Sequence, residues 1–116
     1  MKGETMKLNI YEKKEVIKTY EADSYDLMFG TIEDVANALN LDDLKTGSDV
    51  EIIRMATKLV LTSLGTVKGL MKDIFDGLTD EELKKAKVKD MAQVLLEVGK
   101  YTLELMDIHI PKTEKN

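Results

Sequence analysis

Apolar and polar residues alternate weakly over residues 7–21, on either side of the polar run 12–15. The apolar positions are Leu8, Ile10, Val16, Ile17 and Tyr20. Alternation around a polar turn predicts two short strands, or one frayed edge ribbon. Because an isolated hairpin is marginally stable in water, we expect this one to pack on helices or to pair with a neighbouring chain.

Helix signals follow the hairpin. Ser24 and the Thr31-Ile32-Glu33-Asp34 sequence both offer helix starts before apolar residues, with Gly30 between them. We therefore predict one helix from about Ser24 to Leu39, with a bend at Gly30. Residues 40–47 are mostly polar and are predicted to form a connector.

Ser48 and Glu51 form a capping-box pattern that predicts a strong helix start. The predicted helix is long and ends at Asp76-Gly77, while Gly65 and Gly69 favour a break or a close backbone contact within it. An apolar row recurs at helical spacing and predicts the core face: Val50, Ile53, Val60, Leu64, Val67, Met71 and Ile74. A second apolar row lies beside it: Ile52, Met55, Leu59 and Leu70.

The last part of the chain contains a short helix and a long one. Thr79 to Glu82 repeats the capping pattern and predicts a short helix that ends near Ala86. The last helix is predicted from about Lys89 to Asp107 and is again apolar on two faces. Pro111 and the polar residues after it are expected to end the fold.

These patterns predict a mostly α protein, a small helical domain with a short N-terminal β-hairpin. At 116 residues the chain has the length of one domain. We assign residues 6–110 to this domain, residues 1–5 to a flexible N-terminal extension and residues 111–116 to a flexible C-terminal tail.

The charge of the chain argues against a nucleic-acid partner. There are 17 basic and 22 acidic residues, which give a net charge of -5, and residues 1–48 carry most of the excess. A phosphate backbone attracts clustered positive charge, and the basic cluster at residues 84–89 is more typical of a solvated face. Without cysteines, a signal-peptide pattern or a long apolar run, we expect a cytosolic protein that binds neither nucleic acid nor membrane.

Patterns of catalytic, metal-binding or cofactor-binding residues are missing from the sequence. His109 is the single histidine and has no cysteine or carboxylate at metal-ligand spacing. The acidic residues around Gly77 resemble a calcium loop superficially, but that register puts Lys72 at the first ligand position and Leu83 at the bidentate glutamate position. A helix end followed by a helix cap explains them better. We therefore expect no catalytic residues, no bound metal and no cofactor.

Two helices with double apolar rows are difficult to bury in so small a domain, and the chain has seven methionines, whose flexible side chains suit adaptable binding surfaces. We therefore expect self-association or a groove for another helix. The candidate contact residues are Ile52, Met55, Leu59, Leu70, Leu96, Leu103 and Met106.

The chain resembles the tail assembly chaperones of long-tailed bacteriophages of Gram-positive hosts, over most of residues 6–106. The likeness lies in a short N-terminal ribbon that ends in Tyr-Asp-Leu-Met-Phe at residues 25–29, in the helix start at residues 31–34, and above all in residues 71–83 and 88–91. The last two segments read Met-Lys-Asp-Ile-Phe-Asp-Gly-Leu-Thr-Asp-Glu-Glu-Leu and Val-Lys-Asp-Met.

The resemblance implies a non-enzymatic protein of the host cytoplasm, absent from the mature virion, that coats helical segments of the tape measure protein and keeps it soluble. Two alternatives come from other functional classes. A small helical regulator of the antitoxin or anti-repressor type would bind a folded target in a low-order complex. An enzyme that used the acidic cluster would bind a divalent metal tightly.

Overall fold

A computed structural model of the chain describes residues 5–114, and the side chains of residues 5–106. The protein is mostly helical, with one two-stranded antiparallel hairpin at the N-terminal side of the described chain. The predicted fold class is therefore confirmed.

The hairpin consists of β1 (Thr5–Glu12) and β2 (Glu15–Asp23), joined by a two-residue turn at Lys13 and Lys14. Lys13 has a φ of 59°, the left-handed conformation that a tight hairpin turn requires. Ile10 pairs with Lys18 and Tyr11 with Val16, so Ile17 is a bulge residue between the two pairs.

The alternation in β1 has a direct structural cause. Met6, Leu8 and Ile10 point to one face of the strand and are almost completely buried. The hairpin packs on the long C-terminal helix through β1, and the Tyr11 N–H donates to the Lys85 carbonyl oxygen at 2.9 Å. The helices therefore supply the support that a lone hairpin lacks.

A 3₁₀ turn at Ser24–Asp26 leads into the helices. These are α1 (Phe29–Ala38), α2 (Leu41–Thr46), α3 (Asp49–Thr62), α4 (Leu64–Ile74), α5 (Asp80–Leu83) and α6 (Val88–Glu114). Both predicted capping boxes are present, Ser48 with Glu51 at α3 and Thr79 with Glu82 at α5. Gly77, with a φ of 90°, makes the turn between α4 and α5.

The core forms around α6, which contacts α1, α2, α3 and β1. Met91, near the start of α6, lies beside Val60 and Leu64, while Gly99, further along, lies against Leu44 of α2. Since α2 directly precedes α3, α6 runs antiparallel to α3. The core side chains that are least exposed are Met6, Leu8, Ile10, Val35, Ala56, Val60, Met71, Phe75, Val94, Leu95 and Val98.

Two helix boundaries differ from the prediction near the beginning of the helical region. The Asp23 carboxylate accepts the Tyr25 N–H and caps a 3₁₀ turn, after which Leu27 and Met28 are extended. The predicted helix from Ser24 is therefore wrong in its first turn, and α1 begins at Phe29. Residues 40–47 are not a simple connector, because the Asn40 side chain accepts the Asp43 N–H and starts α2.

The predicted long helix is divided into α3 and α4 at Ser63, whose backbone leaves the helical region with φ −129° and ψ 54°. A break was one of the two alternatives predicted for Gly65 and Gly69, but it lies at Ser63, before both glycines. The last helix continues past Asp107 and Pro111 to Glu114. The expected end at the proline is thus corrected, since a proline removes one backbone donor and its hydrogen bond but need not end a helix.

Thr5, assigned to the flexible extension, is the first residue of β1. The rest of that extension, residues 1–4, and the last two residues of the predicted tail lie outside the described residues.

Candidate protein-binding surface

An apolar stripe lies on the solvent side of α3. Its members recur at helical spacing: Val50, Ile53, Thr57 and Leu61. Val50, Ile53 and Leu61 are 63%, 54% and 58% exposed, respectively, and Thr57 is half-buried between them. We call these four residues the α3 stripe. Such large apolar side chains in one row leave a surface that another apolar face can cover.

The start of α3 is held firmly, which fixes the position of the stripe. The Ser48 N–H donates to Glu51 Oε1 at 3.0 Å, and the Glu51 N–H donates to Ser48 Oγ at 3.2 Å. These two bonds satisfy backbone donors that a helix start otherwise leaves to water. Val50, the first residue of the stripe, therefore lies within the capped first turn.

Most of the candidate contact residues predicted from the sequence belong to the packed interior. Leu70 and Leu96 are buried, at 2% and 4% exposure. Their predicted role as contact residues is therefore wrong, and both belong to the core. Ile52, Met55, Leu59 and Leu103 are half-buried and pack against the core. Met106, at 44% exposure, is the one predicted contact residue that is freely accessible.

The predicted core row is also divided between the interior and the surface. Val60, Val67, Met71 and Ile74 are buried as predicted, whereas Val50, Ile53 and Leu64 are exposed. The neighbouring row is the one that lies against the core, where Ile52, Met55 and Leu59 are half-buried. The end of α2 lies close to this row, since a Cβ on Gly47 would lie 3.5 Å from Ile52 Cγ1.

Basic residues border the α3 stripe on one side. Arg54 and Lys58 are exposed and lie on the same open surface of α3 as Val50, Ile53 and Leu61. They lie four residues apart, so their side chains follow the same side of the helix. Neither forms an ion pair with any acidic side chain in the described part of the chain.

A second exposed apolar patch lies at the start of α1. Met28 and Phe29 are 73% and 77% exposed, and the neighbouring Tyr25 packs its ring near that of Tyr101, with centroids 6.2 Å apart. Met28 is the N-cap residue of α1 and makes no side-chain capping bond. The sequence prediction placed these residues inside a longer helix and did not identify the patch.

A hydrogen bond and an ion pair to the same carboxylate join the hairpin to α5. The Tyr20 hydroxyl donates to Glu82 Oε1 at 2.6 Å, and Lys18 Nζ lies 3.2 Å from Glu82 Oε2. The Tyr20 hydrogen bond, helped by the Thr79 N–H and Lys18, lowers the pKa of Glu82 to about 2. The hydrogen bonds to Tyr20 and Glu82 raise the pKa of Lys18. A second pair, Lys72 with Asp80, lowers the pKa of the Asp80 carboxyl and ties α4 to α5.

Within the described residues, no group of three or more histidine, cysteine or acidic side chains is arranged to hold a metal ion. Among the acidic residues around Gly77, Glu82 instead caps α5 and Asp80 pairs with Lys72. The His109 side chain lies outside the described side chains. Among the described helices, none combines the length and the apolar character that a membrane crossing needs.

Comparison with known proteins gives no relative: no family model, no curated protein and no solved structure matches this chain.

Proposed function

We propose that this protein is a non-enzymatic tail assembly chaperone of a bacteriophage, which binds helical segments of the tape measure protein and keeps that protein soluble during tail morphogenesis. The observation that carries the proposal is the α3 stripe, an exposed apolar row on a capped, well-supported helix. The family name comes from the sequence resemblance in residues 25–34, 71–83 and 88–91.

The arrangement suits a helical client. Side chains spaced three and four residues apart on one helix can interdigitate with the apolar face of another helix laid along it. A tape measure protein is long and helical, so many copies of a small chaperone would be needed to cover its apolar faces. On this proposal the protein acts in the host cytoplasm, self-associates along its client and is absent from the mature virion.

Co-expression with the tape measure protein of the same genome tests the proposal. We expect the tape measure protein to remain soluble and to co-purify with this chain in several copies. The double variant Ile53→Asp/Leu61→Asp should lose this activity, whereas Thr66→Asp, an exposed position on α4, should retain it. An insoluble tape measure protein that does not co-purify with the native chain would contradict the proposal.

A helical regulator of the antitoxin or anti-repressor type is the second candidate. The stripe lies within α3, which is long enough for one helix of a folded target. That function predicts a complex with a small, fixed number of chains, whereas a tape measure chaperone forms a complex with many copies on one long client. Light scattering of the purified complex distinguishes the two.

A further inference from the structure

The distribution of charge around the α3 stripe indicates what kind of helix would bind there. Between Glu51 and Asp73 the sequence contains no acidic residue but four basic ones, Arg54, Lys58, Lys68 and Lys72. This segment is therefore at +4 in a chain whose net charge is -5. Arg54 and Lys58 are the two that lie on α3, beside the apolar stripe.

Arg54 and Lys58 differ from three lysines that form ion pairs elsewhere in the structure. Lys18, Lys72 and Lys85 each lie within 4.0 Å of a carboxylate. Arg54 and Lys58 have no carboxylate within 4.0 Å in the described part of the chain. This holds although Asp43 of α2 and Glu51 of α3 line one cavity with them. The Glu51 carboxylate accepts the Ser48 N–H in the capping box.

From these observations we propose that the α3 stripe binds an amphipathic helix whose apolar row is flanked by acidic residues. The apolar row of that helix would cover Val50, Ile53 and Leu61, and its carboxylates would face Arg54 and Lys58. An unpaired cation beside an apolar contact gains from an opposite charge in the partner, and it disfavours a basic partner. The inference rests on the proposed binding function and specifies the chemistry of the partner.

Charge also argues against a second copy of α3 as the occupant. In an antiparallel contact between two copies of this helix, the rows on the same side meet each other. Arg54 and Lys58 of one copy would then face Arg54 and Lys58 of the other. The like charges that face each other across this contact would repel and weaken it.

Binding of two synthetic peptides to the full chain tests the inference. Each peptide has about 20 residues and the same leucine row at helical spacing, and the flanking positions are glutamate in one and lysine in the other. By fluorescence anisotropy we expect the glutamate peptide to bind at least about tenfold more tightly at low salt, with a smaller ratio at high salt.

Charge reversal in the protein provides the matched control. Arg54→Glu/Lys58→Glu should abolish or invert the preference for the glutamate peptide. Lys13→Glu/Lys14→Glu makes the same change in net charge at the hairpin turn and should keep that preference. Circular dichroism should give the same helix content for both variants, because all four side chains are exposed.

Several results would overturn the inference. These are equal binding of the two peptides, binding of neither, no effect of Arg54→Glu/Lys58→Glu, or a dimer in light scattering that Ile53→Asp dissociates.

The test also separates this inference from the proposed function. If the glutamate peptide binds but the tape measure protein stays insoluble, the proposed function fails and the partner chemistry stands. If Arg54→Glu/Lys58→Glu still solubilises the tape measure protein fully, the partner chemistry fails and the function stands.

Discussion

The Tyr20 hydroxyl and the Glu82 carboxylate are joined by a hydrogen bond of 2.6 Å, although 62 residues separate them in the chain. The same carboxylate oxygen accepts the Thr79 N–H in the capping box of α5. Tyr20 also packs its ring near Phe75, with centroids 6.3 Å apart. One acidic side chain therefore caps a helix and fastens the hairpin to it.

We expect this contact to make stability depend on pH in the acid range. The pKa of Glu82 is lowered from 4.5 to about 2. A carboxyl group whose pKa is lowered by folding stabilises the protein above its unfolded pKa, and the contribution is lost as the pH falls through the folded pKa. Glu82 should thus contribute fully above a pH of about 4.5 and lose its contribution between there and about pH 2.

Tyr20→Phe removes the largest cause of the lowered pKa, so the variant should lose less stability than the native chain over that range. Urea unfolding at a series of pH values measures this, and an NMR titration of Glu82 should give a higher pKa in the variant. Tyr11→Phe is the control, because the Tyr11 ring contacts Lys87 and not a carboxylate. Identical pH dependence in the native chain and Tyr20→Phe would contradict the prediction.

Two glycines in helices should respond oppositely to alanine. A Cβ at Gly69 would meet nothing within 4 Å, so Gly69→Ala should raise the free energy of unfolding by about 0.5–1 kcal/mol through helix propensity. A Cβ at Gly99 would lie 2.7 Å from Leu44 Cδ1 and 3.2 Å from Leu39 Cδ1. Since both leucines are buried, Gly99→Ala should lower stability by about 1 kcal/mol.

Chemical denaturation of the two variants measures the difference. Gly65→Ala is a second open position and should behave as Gly69→Ala does. If Gly99→Ala stabilised the protein as much as Gly69→Ala, then α2 would not pack against α6 as closely as described.

The two serines at the ends of α3 should differ in their contribution to stability. Ser48 accepts the Glu51 N–H, so Ser48→Ala should cost about 1 kcal/mol. Ser63 is the N-cap residue of α4 but makes no side-chain capping bond, so Ser63→Ala should change stability by less than about 0.5 kcal/mol. Thermal unfolding followed by circular dichroism compares them. Equal losses would mean that Ser63 has a partner in solution.

Local signals in the sequence predicted most of the fold. The hairpin, both capping boxes and the turn at Gly77 depend on a few neighbouring residues, and all are present. The pattern of apolar and polar residues predicted neither the end of α3 at Ser63 nor the helix α2. Ser63 lies in an unbroken apolar periodicity, and α2 is a six-residue helix with a single buried residue, Leu44.

The candidate surface was harder to predict, because periodicity identifies apolar faces but not the element that covers each. Both apolar rows of α3 fit a core face equally well. The Ile52 row lies against the core and close to the end of α2, whereas Val50 and Ile53 face solvent. In this half of the helix the predicted core row is therefore the exposed one, and the predicted contact row is half-buried.

Ile53 and Val60 test this assignment directly, because the sequence placed both in one core row. Ile53 is 54% exposed and Val60 is fully buried. Ile53→Asp should therefore cost less than about 1 kcal/mol, while Val60→Asp puts an unpaired charge in the core and should unfold the protein or cost at least about 3 kcal/mol. Urea unfolding measures both. Ile53→Asp should also abolish binding of the glutamate peptide while the fold is retained, because the charge disrupts the apolar contact. A large loss of stability in Ile53→Asp would place Ile53 in the core and remove the α3 stripe as a binding surface.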